Sequence, residues 1–118
     1  MNDISFLEKQ IGYKFNNIKF LKIALTHKSY LDENPELMSN QRYEFFVDAI
    51  LDFDLTEYLF KNYPDLDEGS LTKIRSSAVN QFNLVQIGKK IDIGNYLYLS
   101  KAEDSTGGRN KDSIIEDA

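Results

Sequence analysis

The chain has no cysteine, only two prolines and a single histidine. Without cysteine there is neither a disulfide framework nor a thiolate zinc site, which agrees with a reducing compartment. Long apolar runs are missing too. Met1 to Phe20 interleaves Asp3, Glu8, Lys9 and Lys14 with its apolar residues and so lacks the core of a signal peptide. No stretch approaches the roughly 20 apolar residues of a membrane span. No membrane partner is expected, and the cytoplasm is the expected compartment. An excess of basic charge is absent as well: 14 Lys and Arg face 19 Asp and Glu, for a net charge of −5. Affinity from wrapping phosphates in basic side chains is thereby disfavoured. The acidic balance suits an enzyme that gathers carboxylates around cations and leaves much of the gripping to another domain or subunit.

What is present is globular. At 118 residues, 42% hydrophobic and 28% charged, the chain fits one domain with one core. Helical periodicity dominates and no alternating strand pattern persists, which makes the fold class all-α. Ile4, Leu7 and Ile11 mark a first helix, with Gly12 as its stop. A second is expected over Ile18 to His27, and Asp32 to Ser39 reads as a loop around Pro35. From Asn40 to Asn62 the sequence is apolar on nearly every side, predicting a central helix buried by its neighbours. Asp67 can cap a further helix running from Glu68 through Ile87, with Gly88 interrupting or ending it. Ile91 to Gly108 reads as a short helix or turn and then a flexible loop, after which Asn110 caps a last helix that has hardly begun at Ala118.

On the central helix Glu44, Asp48 and Asp52 follow at i, i+4 steps and share one side. Like charges at that spacing repel, and a desolvated carboxylate needs a partner. Either the face is solvated, or something cationic sits opposite it: lysine, arginine, or a divalent ion that prefers hard oxygen ligands.

The run Asn40-Gln41-Arg42-Tyr43-Glu44-Phe45-Phe46-Val47-Asp48-Ala49-Ile50-Leu51-Asp52 resembles the signature of the ribonuclease III family. Thr26-His27-Lys28-Ser29-Tyr30 before it, and Asp67-Glu68-Gly69 with Leu71-Thr72-Lys73-Ile74-Arg75 after it, match in the right order. So do Ser105 with Gly107-Gly108-Arg109, and Asp112-Ser113-Ile114-Ile115-Glu116-Asp117-Ala118. The resemblance covers essentially the whole chain and implies the catalytic domain of a bacterial-type enzyme over residues 1–118. On that pattern the all-α endonuclease fold is truncated within its last catalytic helix, and no double-stranded-RNA-binding domain is present.

The resemblance further implies that Glu44 and Asp117 ligate Mg2+, with Mn2+ as a substitute, and that Asp48 is catalytic. The family's remaining catalytic glutamate would fall three residues past Asp117. The implied activity is hydrolysis of double-stranded RNA to 5′-phosphate and 3′-hydroxyl ends by a homodimer, as in rRNA, tRNA and mRNA processing. Gln41 and Glu68 stand at accessory positions. Lys73, Arg75, Arg109 and Lys111 are candidates for phosphate contact, with ordinary surface charge as the alternative. His27 sits where the family has a structural helix end, so packing or hydrogen bonding is expected of it, not general-base chemistry.

Three residues depart from the pattern. Gln41 replaces a glutamate, Val47 replaces a glycine where close packing would be expected, and Asp54 replaces an aliphatic residue, placing a charge near the expected core. A second reading follows from them: a ribonuclease III-like RNA-binding or scaffolding module whose cutting is impaired.

Overall fold

The structure, a computed structural model, describes residues 3–118; Met1 and Asn2, with which the expected domain opens, lie outside the described residues. Helix α1 (Ile4–Ile11) starts at Asp3, whose carboxylate accepts from the Ser5 N–H at 2.9 Å, and stops at Gly12 as expected. Helix α2 (Ile18–Ala24) is capped by Asn17, which accepts from the Lys19 N–H. It ends at Ala24 and not at His27, because the next residues straighten to pair with a distant segment.

After a 3-10 turn (Lys28–Asp32) comes α3 (Gln41–Asn62), 22 residues and about 33 Å long. It is followed by α4 (Glu68–Ala78), α5 (Gln81–Lys90), a 3-10 turn (Ile93–Tyr96), α6 (Lys101–Ser105), a second short 3-10 turn (Gly108–Asn110) and α7 (Asp112–Asp117). Among the described residues the only β pairing is one parallel bridge between Thr26 and Tyr98. The chain is all-α, as its periodicity predicts.

Several local expectations are corrected. The helix expected from Glu68 to Ile87 is two helices, divided at Val79 and Asn80. Asn80 turns extended and its side-chain oxygen accepts from the Asn83 N–H at 2.9 Å, an N-cap in the middle of an apolar pattern. Gly88 neither ends nor interrupts α5. It lies inside the helix, where a Cβ would sit 2.5 Å from Ile115 Cγ2, so its lack of a side chain lets α7 approach α5. The expected flexible loop before Gly108 is an ordered helix and turn tied by ion pairs. Asn110 belongs to that turn, and Lys111 occupies the cap position of α7 without a side-chain cap bond.

The core is built from Leu7 of α1, Leu21 of α2, Val85 of α5, Ile114 and Ile115 of α7, and the 93–99 segment threaded among them. No member of that cluster comes from α3 or α4. The central helix is therefore not enclosed by its own chain, contrary to the sequence expectation. Leu59 is its one buried residue, while Phe45 is 84% and Phe60 73% exposed. Asp54 is exposed as well, so its charge is solvated and not set in the core, and Val47 is half exposed. A helix apolar on most sides reads the same in sequence whether its cover belongs to its own chain or to something else. α3 and α4 form a hairpin that leans out from the core, tied by Arg75 Nη1 donating to Thr56 Oγ1 at 3.0 Å. The radius of gyration is accordingly 16.1 Å, against the ~13 Å of a compact chain near this length.

The hairpin is anchored at one place. Tyr98 N–H donates to the Leu25 carbonyl at 2.9 Å and His27 N–H to the Tyr98 carbonyl at 3.1 Å. Asn40, 4% exposed, donates from its backbone N–H to the Thr26 carbonyl and from Nδ2 to the Ala24 carbonyl, each at 2.9 Å. Its own carbonyl accepts from the Glu44 N–H at 2.8 Å and so starts α3. Replacing Asn40 with Ala removes the Nδ2 bond and leaves the part-buried Ala24 carbonyl without that donor. A loss of about 1–3 kcal/mol in unfolding free energy is expected by urea titration, larger than for removal of the exposed cap Asn17.

Candidate metal and catalytic centre

Glu44 lies in the first turn of α3, half-buried, and Asp48 projects one turn later, exposed. Asp117 is the last residue of α7, half-buried, in a helix that Ile114 and Ile115 pin to the core. The Glu44 and Asp117 carboxyls come within hydrogen-bonding reach of one another. Burial pushes the Glu44 carboxyl above its ordinary value, and the charge and hydrogen-bonding reach of Asp117 push it further, with smaller contributions from Asp48 and Glu116. Asp52, one turn beyond Asp48, is exposed.

The donor chemistry is oxygen alone, which suits a hard divalent cation such as Mg2+ and, by the same chemistry, Mn2+. Among the described residues no three His, Asp or Glu side chains gather tightly enough to enclose an ion by themselves. That is no obstacle for Mg2+, which keeps several waters and commonly takes one or two carboxylates together with substrate phosphates. The clustered acids fit such an ion, and no basic side chain bonds to Glu44, Asp48 or Asp117 among the described residues.

The other sequence candidates lie apart from this pair or are already engaged. Gln41 is exposed at the start of α3, its amide oxygen accepting from Ser39 Oγ at 3.2 Å. Glu68 is exposed in the first turn of α4, where it is Asp67 that caps the helix by accepting from the Ser70 N–H. Lys73 is exposed on α4 and Arg75 is half-buried against Thr56. Arg109 is committed to Asp104 and to two backbone carbonyls, and Lys111 donates to both Glu103 oxygens at 3.1 Å, holding that carboxyl below its usual range. His27 caps the 3-10 turn through Nδ1, which accepts from the Ser29 N–H at 3.2 Å. Burial lowers its pKa against the opposing pull of Glu103 and Asp117. Glu116 was not singled out in the sequence; its place beside Asp117 is the only signal that could have found it.

The family model described as ribonuclease-III-like matches residues 17–118. The chain belongs to the ribonuclease III family. It is 48% identical over 118 residues to "Ribonuclease 3" of Sulfurovum sp. (strain NBC37-1), and covers all of this chain and 51% of that protein. "Ribonuclease 3" of Campylobacter fetus subsp. fetus is 46% identical over 118 residues, again 51% of the relative's length. The chain thus spans about half the length of the curated relatives it matches. Among solved structures, a nuclease domain of ribonuclease III from Campylobacter jejuni superposes with a TM-score of 0.89 at 36% identity, covering 98% of this chain and 78% of that one. That structure is described by flexibility in a region involved in dimer formation. The all-α endonuclease-domain fold expected from the resemblance is the one observed.

Clustered acids in a ribonuclease III domain carry a stability cost whose sign can be tested. A carboxyl raised in the folded state stabilises below its unfolded value and loses that contribution as pH rises through the folded value. For Glu44 the loss begins near 4.5 and is complete above its raised value. Glu44→Gln should therefore raise the melting temperature of the metal-free protein at pH 7 and leave it nearly unchanged at pH 4, as followed by circular dichroism. An equal shift at both pH values would mean that ionisation of Glu44 carries no cost in the folded protein.

Proposed function

We propose that this domain is the cutting unit of a cytoplasmic endoribonuclease that hydrolyses phosphodiester bonds of double-stranded RNA with Mg2+, or Mn2+ in its place, leaving 5′-phosphate and 3′-hydroxyl ends. The processing of rRNA, tRNA and mRNA precursors is the corresponding role. The observation that carries the reading is the meeting of Glu44 and Asp117 with Asp48 beside them, inside a family whose curated relatives are named ribonucleases. Glu44 and Asp117 would hold the ion and Asp48 would orient the attacking water. Bound there, a divalent cation supplies charge neutralisation at the attacked phosphate and a more acidic water. The carboxylates would need no basic neighbour from their own chain, because the bound cation would itself offset their charge. Duplex RNA offers phosphates and 2′-hydroxyls in a shallow minor groove, so recognition would be of shape. Exposed Lys73, with Gln41 and Glu68 as accessory groups, would stand at the edges of that contact.

A homodimer is part of the same proposal. Phe45 and Phe46 are exposed on α3 beside an open groove of about 1080 Å³ lined by Phe20, Ile23, Met38 and Tyr43. Apolar surface of that kind on a soluble chain needs a cover, and a Campylobacter jejuni nuclease domain has a region involved in dimer formation.

Gln41 favours a second reading, the RNA-binding or scaffolding module, because an uncharged amide stands where the family has a carboxylate. The test is cleavage of an end-labelled RNA duplex in Mg2+ by these residues alone and by a chain extended with the segment that follows the matched half of a curated relative. Weak cutting by the first and clear cutting by the second are expected. Asp48→Asn should lower the latter by roughly 100-fold or more with duplex binding retained. Duplex binding with no cutting by either chain would favour the scaffold.

A further inference from the structure

Glu44 and Asp117 stand on helices far apart in sequence, and two networks meet to bring them together. On one side Asn40 hangs the start of α3 on Ala24 and Thr26, and the residues next to Thr26 pair with Tyr98. On the other side the turn that leads into α7 must be held to the same 94–98 segment, or α7 could slide against α3. Arg109 makes that connection. Its Nη1 donates to the Leu97 carbonyl at 2.7 Å and the Gly94 carbonyl at 3.2 Å, while Nε and Nη2 grip both oxygens of Asp104 at 2.9 and 3.2 Å. The guanidinium is mostly shielded, and four of its five N–H groups are used within the chain. At Gly94 the approach is so close that a Cβ would collide with the Arg109 carbonyl, so the two backbones are locked as well as the side chain.

We propose that Arg109 is a positioning residue that sets α7, and with it Asp117, in register with Glu44 on α3, and that it is not a phosphate contact. One peptide away from the Leu97 carbonyl, Tyr98 carries the pairing to Leu25 and His27 that fixes the root of α3. Arg109 thus links the two acid-bearing helices through a path of hydrogen bonds. Lysine could keep the charge toward Asp104 but has no planar fork to reach two carbonyls at once. The inference rests on the endonuclease reading for its functional meaning, while its geometry is testable without it.

The absence of cysteine makes the test clean. In a Glu44→Cys, Asp117→Cys chain, the rate of bridging by dibromobimane, which becomes fluorescent on linking two thiols, reports their proximity. Bridging should be rapid with Arg109 present and roughly tenfold slower or more with Arg109→Gln and with Arg109→Lys, as expected when two reacting groups lose fixed proximity. Leu59→Ala, which removes a buried side chain from the outlying hairpin, serves as a control for lowered stability and should bridge at the parent rate. Unchanged bridging in both Arg109 variants, equal slowing by Leu59→Ala, or no bridging in the parent would each overturn the proposal. Bridging requires neither metal nor RNA. If the cysteine pair bridges as described while the extended chain with Glu44 and Asp117 intact never cuts duplex RNA, the endonuclease reading falls and the role of Arg109 stands.

Discussion

The pairing of the Leu25–His27 backbone with Tyr98, with Asn40 pegged to the same stretch, is the constraint on which the other arrangements rest. Four polar residues are buried among the described residues, Thr26, Ser39, Asn40 and Ser100, and all stand in or beside the segments that meet there. Buried polar groups are costly unless satisfied, and none of the buried side-chain donors or acceptors among the described residues lacks a partner. A satisfied polar crossing specifies one register where apolar packing alone would tolerate several. Ser100 N–H donating to Ser29 Oγ at 3.0 Å, and Lys101 N–H to Glu33 at 3.1 Å, extend the crossing to the start of α6.

From that crossing the molecule divides into a packed half and a projecting half. Helices α1, α2, α5 and α7 close around Leu97 and Leu25, both fully buried, and supply most of the hydrophobic stabilisation. The α3–α4 hairpin contributes little to that core and leaves its phenylalanines to solvent within this chain. Its length carries the carboxylate face outward from an anchored root. Glu44 sits within a turn of Asn40, at the stiff end, whereas Phe53 and Phe60 lie toward the free end. The residues that demand accurate placement are therefore those nearest the anchor.

The sequence made some of this legible for physical reasons that are easy to name. Helical spacing of Ile4, Leu7 and Ile11, the Asp67 cap and the limits of α3 are local properties, and local pattern finds them. Glu44 and Asp48 share a face because of i, i+4 geometry; Asp117 could be joined to them only through resemblance to a family, since nothing in local spacing connects α7 to α3. The Asn80 break was masked by an apolar pattern that continues in phase on both sides of it. Burial of α3 was misread because hydrophobicity says that a surface will be covered, not which chain covers it. Arg109 was invisible as a clamp, since two of its acceptors are backbone carbonyls, which every residue possesses.

The site and the scaffold pull in opposite directions. Acids drawn together between two helices lose water and repel one another, and the raised Glu44 carboxyl records first its burial and then that repulsion. Helices free to adjust would relieve it by moving apart, because each carboxylate would gain water by doing so. They do not, because Ile114 and Ile115 fix α7 to the core and Asn40 fixes α3 to the crossing. Stability spent in the packed half thus holds an unfavourable arrangement in the other, leaving a concentrated negative field with no internal counter-charge. The proposed cation site would rest on that imbalance, and letting the acids separate would weaken it even while relieving their mutual repulsion.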